Sequence, residues 1–138
     1  MLVTARAEYA CLAMVELAKR FGDPKPVRLI EVAEMHEIPQ KFLVQILLQM
    51  KAAGLVSTTR GAAGGYQLVK KPEEITLADI FAVLDRMDEP EDLKNTKSST
   101  LRGLQKIWRG LADNRTDYLK KFKLSELMTS GNELEYVI

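Results

Sequence analysis

Apolar residues recur at spacings of three and four along most of the chain and give way to alternation only once, near the middle. Thr4 is placed to cap a helix that runs to about Phe21, where Gly22, Asp23-Pro24 and Pro26 supply the stop. Its apolar residues Tyr9, Leu12, Ala13, Val15, Leu17 and Phe21, with Ala10 and Met14 between them, cover more than one stripe, which predicts contact with two neighbours. Leu29 to Met35 reads as a short helix with Leu29, Val32 and Ala33 inward. After the turn His36-Glu37-Ile38-Pro39, a longer helix runs from Gln40 to Ala53 and ends at Gly54 in its C′ position. Two helices joined by so short a turn, the second longer than the first, outline a helix-turn-helix.

The alternating stretch comes next. Leu55 to Arg60 is rich in β-branched residues, Gly61-Ala62-Ala63-Gly64-Gly65 is a turn, and Tyr66-Gln67-Leu68-Val69 alternates again, predicting a β-hairpin. Thr76 and Asp79 have capping-box spacing and open a helix with Leu77, Ile80, Phe81 and Leu84 on one face, ending near Asp85. Arg86 to Lys97 is polar, acidic and broken by Pro90, a connector; Ser98, Ser99 or Thr100 then caps the longest periodic segment. In it Leu101, Leu104, Trp108, Leu111, Arg115, Tyr118 and Phe122 keep spacings of three and four. A helix from Leu101 to Lys123 would be roughly 34 Å long, more than so small a chain covers on every apolar side. A second copy packed on Leu101, Leu104, Trp108, Leu111, Tyr118 and Phe122 is the expected cover; the alternative is a core helix lying on the first helix. The expected fold is therefore mostly α with a small β-hairpin wing: a winged helix-turn-helix over 1–85, an acidic and polar connector over 86–100, and over 101–138 a dimerisation helix and a C-terminal segment that packs back on the domain.

At 138 residues and 15.5 kDa the chain is too short for a multi-domain enzyme. Its single cysteine, Cys11, rules out an internal disulfide and any four-thiolate metal site built from this chain alone. With no long apolar run and with Glu8 and Glu16 among the first twenty residues, neither a membrane span nor a leader peptide is indicated, and a cytoplasmic protein is expected. The net charge of +1 conceals an asymmetry: residues 1–71 hold ten Lys and Arg against six Asp and Glu, whereas residues 72–97 hold three against eight. The amino-terminal half can thus offer an anionic partner a basic face.

That face is best read on the second helix of the motif. If Leu43, Ile46, Leu47 and Met50 point inward, Lys41, Gln45, Leu48 and Ala52 point outward, flanked by Val44 and Gln49 and with Gln40 at the amino end. Amides able to make paired bonds to base edges, a cation, apolar groups able to meet thymine methyls, and no carboxylate suit a DNA groove; an ordinary exposed or protein-contacting face is the alternative. In the hairpin the glycines allow close backbone approach, and Arg60 at the tip can reach a minor groove or phosphate. No lysine follows the glycines as a nucleotide-binding loop requires. Lys70 and Lys71 are phosphate contacts or merely solvated. Cys11 reads as a small buried hydrophobe, with a redox role as the alternative; His36 has no partner set for catalysis; and Asp88, Glu89, Glu91 and Asp92 lack calcium-loop spacing and read as linker. No metal ligand set is found.

Five stretches resemble the IscR/NsrR/CymR family of bacterial winged-helix transcription regulators, also called Rrf-two: Thr4-Ala5-Arg6 with Tyr9-Ala10; Ile38-Pro39-Gln40-Lys41-Phe42-Leu43-Val44-Gln45-Ile46-Leu47; Ala53-Gly54-Leu55-Val56; Arg60-Gly61-Ala62-Ala63-Gly64-Gly65-Tyr66-Gln67-Leu68; and Ile75-Thr76-Leu77-Ala78-Asp79-Ile80. The resemblance implies a homodimer held by the long helix, with two recognition helices in successive major grooves of double-stranded DNA and two wings on the flanking minor grooves or backbone. It implies DNA contacts from Gln40, Lys41 and Gln45 and from Arg60; with Val44 on the helix and Gly61, Gly64, Gly65 and Tyr66 in the wing, these make up the candidate DNA-binding set. Two departures matter. Val44 stands where many relatives have Glu, so no carboxylate accepts from cytosine N4. Cluster-binding relatives carry three cysteines before the dimer helix, and Met87 to Thr100 contains none; this points to a cluster-free member, some of which sense through a protein effector or thiol oxidation. Without those cysteines, Glu8, near where some relatives offer a carboxylate to the partner's cluster, is expected to be solvated or salt-bridged. The expected function is a homodimeric, sequence-specific regulator without catalytic activity or cofactor, a repressor reading a pseudo-palindromic operator. The alternative is a winged-helix protein-interaction module that has lost DNA binding.

Overall fold

The computed structural model describes residues 3–87 and 96–129. Its elements run α1 (Ala5–Lys19), α2 (Leu29–Met35), α3 (Gln40–Ala52), β1 (Val56–Thr59), β2 (Gly65–Leu68), α4 (Leu77–Met87) and α5 (Ser99–Leu119), with short 3-10 turns at Pro72–Glu74 and Leu124–Leu127. Each boundary has a local cause. Thr4 Oγ1 accepts from the Ala7 N–H at 3.1 Å and starts α1. At the end of α3, Gly54 takes φ +80°, its N–H donates to Lys51 O, and the Leu55 N–H donates to Met50 O, both at 3.0 Å. The same geometry closes α2, where the Ile38 N–H donates to Ala33 O at 2.9 Å and Glu37 occupies the left-handed position at φ +55°. In both joints the next residue, Ile38 or Leu55, is buried. Thr76 and Asp79 form the reciprocal box that opens α4, Thr76 N–H donating to Asp79 Oδ2 at 2.9 Å and Asp79 N–H to Thr76 Oγ1 at 3.3 Å.

α3 is central: it touches α1, α2, α4 and β1. Leu43, Ile46, Leu47 and Met50 are all at most 1% exposed. α1 reaches α3, α4, β2 and the Leu124–Leu127 turn. Its buried face combines four alanines, Ala7, Ala10, Ala13 and Ala18, with Met14, Leu17 and the aliphatic stem of Glu16. Leu12 and Phe21, two of the expected apolar positions, are exposed: small side chains bring the neighbouring helices close on the alanine side, and Phe21 lies beyond the end of α1. The hairpin is antiparallel with Val56 opposite Leu68 and Thr59 opposite Gly65. Gly65, expected in the turn, is thus the first residue of β2. A third edge is added by Val27, whose N–H donates to Tyr66 O at 2.9 Å while the Tyr66 N–H donates to Val27 O at 2.8 Å.

The expected connector boundaries shift. α4 runs on to Met87 and α5 begins at Ser99, capped by Ser98, whose Oγ accepts from the Leu101 N–H at 3.1 Å. The four connector acids, Asp88, Glu89, Glu91 and Asp92, lie outside the described residues, as does the C-terminal segment from 130 onward. α5 ends at Leu119 rather than Lys123, because the chain turns to pair with the segment before α4. The Leu77 N–H donates to Phe122 O and the Leu124 N–H to Ile75 O, both at 2.9 Å, and Leu124 is fully buried. Among the described residues no helix is long and apolar enough to cross a membrane.

The two faces of α3 should respond oppositely to truncation. We expect Leu47→Ala to lower the unfolding free energy by about 2–5 kcal/mol, and Leu48→Ala to change it by no more than about 0.5 kcal/mol, both read from urea denaturation.

Candidate nucleic-acid interface

With one face of α3 held in the core, the opposite face is set by helix geometry. Gln40, Lys41, Gln45 and Ala52 are exposed, as are Val44 at 45% and Leu48 at 57%, while Gln49 is half-buried. Phe42, not singled out from the sequence, is also exposed, and the Lys41 ammonium rests 5.1 Å from its ring centroid. α3 contains no acidic residue. Among the described residues the Gln40 and Gln45 amides have no intramolecular hydrogen bond, so their donors and acceptors are open to a partner. Two free amides, an ammonium and wet aliphatic groups can read base edges and thymine methyls in a major groove.

The wing follows α3 directly, and its glycines divide into two kinds. Gly61 sits at the tip with φ +107°, a conformation that disfavours other residues, and its carbonyl accepts from the Gly64 N–H at 3.0 Å. Gly64 and Gly65 are required by space: a Cβ at 64 would overlap the Thr59 carbonyl, and one at 65 the Val27 carbonyl. Tyr66 is the shared rung, paired with Thr58 on one side and Val27 on the other. Arg60, Gly61 and Ala62 are exposed, whereas Gly64, Gly65 and Tyr66 are half-buried at the base. The wing residues expected at DNA therefore separate into an exposed tip and a base whose first task is to hold the tip in place.

Ion pairing divides the cations in the same way. Lys19 pairs with the buried carboxylate of Glu16 at 3.2 Å, Arg20 pairs with Glu31, and Arg115 pairs with Asp85. Arg28, Lys41, Lys51, Arg60, Lys70 and Lys71 have no carboxylate partner among the described residues. Arg28, N-terminal to α2, was not foreseen; its only sequence signal is a cation immediately before the helix-turn-helix. His36 Nε2 stands 3.0 Å from Glu16 Oε1, within ion-pair distance yet without hydrogen-bond alignment, which links the turn of the motif to α1.

The long-helix residues also separate. None of α5 is buried, and Leu104, Ile107, Trp108, Leu111 and Tyr118 are all exposed, Ile107 at 61% and Leu111 at 62%. Ile107 belongs to this strip and escaped the spacing argument, which followed one heptad line. Arg115 instead faces its own chain, pairing with Asp85 and lying 5.4 Å from the Phe81 ring centroid. Leu101 is half-buried. Phe122, expected on the intersubunit face, stands beyond the helix end; it is half-buried, edge-on to Tyr118 at 5.2 Å, with its carbonyl engaged by Leu77.

Cys11 is half-buried on α1, and burial, with Glu8 adding to it, pushes its thiol up to about 11. Both influences oppose thiolate formation and hence oxidation at neutral pH. Among the described residues no group of three or more His, Cys, Asp or Glu is arranged to hold a metal ion.

A helix-turn-helix with a free-amide recognition face and a glycine-built wing defines a winged-helix DNA-binding regulator of transcription. A family model, Rrf2, described as an iron-dependent transcriptional regulator, matches residues 3–130, and the chain belongs to that family. It is 31% identical to the transcriptional regulator IscR of Aliivibrio salmonicida, over 99% of this chain and 82% of that protein. It is 30% identical to the transcriptional regulator CymR of Bacillus subtilis, over 99% of this chain and 98% of that one. The solved structure of T. potens IscR superposes with a TM-score of 0.69 at 31% identity, covering 91% of this chain and 85% of that one. The family and these relatives are regulators rather than enzymes.

The base of the wing should be intolerant of even one methyl group. Gly65→Ala is expected to destabilise the protein by about 1–3 kcal/mol, through overlap with the Val27 carbonyl, seen as a lowered thermal midpoint; Ala62→Gly at the exposed tip should leave that midpoint nearly unchanged.

Proposed function

We propose that the protein is a homodimeric, sequence-specific repressor that reads a pseudo-palindromic operator without an iron–sulfur cluster. The observation that carries this reading is the outer face of α3, free of carboxylates and, among the described residues, of intramolecular bonds to its glutamine amides. Gln40, Lys41, Val44 and Gln45 meet the major groove and Arg60 meets the adjacent minor groove or backbone. The exposed strip on α5 supports the dimer: five large apolar side chains along one helix are the kind of surface that a second copy covers. Two-fold pairing then places two recognition helices about one helical turn apart, roughly 34–36 Å. Occupancy of such a site at a promoter blocks initiation. The family description names iron, but the donor set of this chain does not fit a cluster: it has one cysteine, on α1, with a thiol held protonated. A protein effector is part of the proposal, as the route by which a signal reaches the dimer.

Fluorescence anisotropy on duplexes selected from a random library tests the DNA reading. We expect Arg60→Ala to weaken binding strongly and Gln45→Ala to reduce discrimination between selected and unselected duplexes by about 1–3 kcal/mol. Full discrimination retained in Gln45→Ala would remove that residue from base readout. For the dimer, sedimentation velocity should show two chains for the parent and one for Leu111→Glu at micromolar concentration, with the monomer still folded by circular dichroism.

A further inference from the structure

Between the wing and the start of α2 lies an open cleft of about 540 Å³, lined by Arg28, Thr58, Thr59, Arg60 and the glycines of the wing. No acidic side chain lines it. Neither arginine has a carboxylate partner among the described residues, whereas Arg20, close by in sequence, is held by Glu31. Arg28 also has a fixed origin. It directly follows Val27, which is joined to Tyr66 through both its N–H and its carbonyl, so the backbone that carries Arg28 is fastened to the strand leaving the wing. Gly65 permits that crossing, because any Cβ there would drive Val27 and the wing apart. The result is that two arginines from separate segments, Arg28 before α2 and Arg60 in the wing, line one cleft together with Thr58 and Thr59. A guanidinium presents a planar fork of donors that matches two phosphate oxygens.

We propose that Arg28 and Arg60 act together as a clamp on the sugar–phosphate backbone of the duplex, so that the footprint extends past the recognition helix onto the cleft between wing and α2. This rests on the DNA-binding reading above and adds to it a contact that reads no sequence. Backbone contacts position a protein in register and make affinity salt-dependent, while base contacts discriminate. Arg28 is accordingly a positioning residue, distinct in its signature from Gln45.

The test uses the full-length protein, a duplex that it selects from a random library and an unselected duplex of equal length, in anisotropy titrations over a range of KCl concentrations. Arg28→Ala should weaken binding to both duplexes by the same factor, about tenfold at moderate salt, and reduce the slope of log K against log [KCl] by about 0.9. Arg28→Glu should weaken both further, and Arg28→Lys should recover most of the slope. Arg28 is exposed, and thermal melts of the variants should match the parent. If the parent discriminates between the duplexes and Arg28→Ala binds both with the parent's affinity and slope, the clamp is wrong and the regulator reading stands. If Arg28→Ala changes base preference instead of weakening both duplexes alike, the phosphate assignment is overturned. If the parent selects no duplex, the regulator reading falls and the clamp with it.

Discussion

Burial of Leu43, Ile46, Leu47 and Met50 fixes the rotation of α3 about its own axis, and the rest of the surface chemistry depends on that rotation. A helix is stiff, so once four positions at spacings of three and four are held in the core, every other side chain has an assigned direction. Val44, Gln45 and Leu48 are exposed because their neighbours are buried. The joints on either side of α3 preserve the arrangement in one way. At each, a helix ends on a left-handed residue and the next residue, Ile38 or Leu55, inserts into the core, so the turn before α3 and the entry to the wing are anchored by the same hydrophobic interior.

The wing is held at its base by two means, Val56 and Leu68 buried in the core and close backbone approach at the glycines. Gly64 and Gly65 stand where no Cβ fits, and Val27 and Tyr66 exchange two hydrogen bonds across the gap. An exposed tip on a sterically closed base suits a projection that must keep its position while contacting a partner. Electrostatics follows the same division. Two carboxylates near the motif are engaged by cations, Glu16 with Lys19 and Glu31 with Arg20, while Arg28, Lys41 and Arg60 have no carboxylate partner among the described residues. A nearly neutral protein thereby keeps a locally basic face, the condition for attracting a polyanion without a large net charge.

On the proposed reading, membership in a family described as iron-dependent does not carry an iron–sulfur cluster with it. A cluster needs several thiolates, and the chain has one thiol, on a helix that disfavours its ionised form. Fold and sensing chemistry are separable because the winged helix is stabilised by its core, whereas a sensor occupies a few side chains outside it. Val44 makes a similar point on the outer face of α3: an exposed aliphatic side chain there offers no acceptor to a base amino group and leaves the helix intact.

Periodicity, caps and turn residues were enough to place every helix of the motif, the hairpin, the capping box at Thr76 and the inward quartet of α3, because these depend on residues within a few positions of one another. The same locality explains why the outer face of α3 and the tip arginine were legible. What remained hidden depends on contacts between distant segments. No glycine marks the left-handed Glu37, which is imposed by the Ile38-to-Ala33 hydrogen bond and by burial of Ile38. Nothing near Phe122 ends α5; the helix stops because the chain there pairs with Ile75 and Leu77, more than forty residues earlier. Arg115 shares its heptad line with Leu111 but is turned inward by Asp85 and Phe81. Arg28 acquires a role only when Val27 meets Tyr66. Local sequence determined the elements and their faces, since helix and strand geometry propagate from neighbour to neighbour; tertiary structure decided where they end and which cations line one cleft, since those outcomes require segments that only folding brings together.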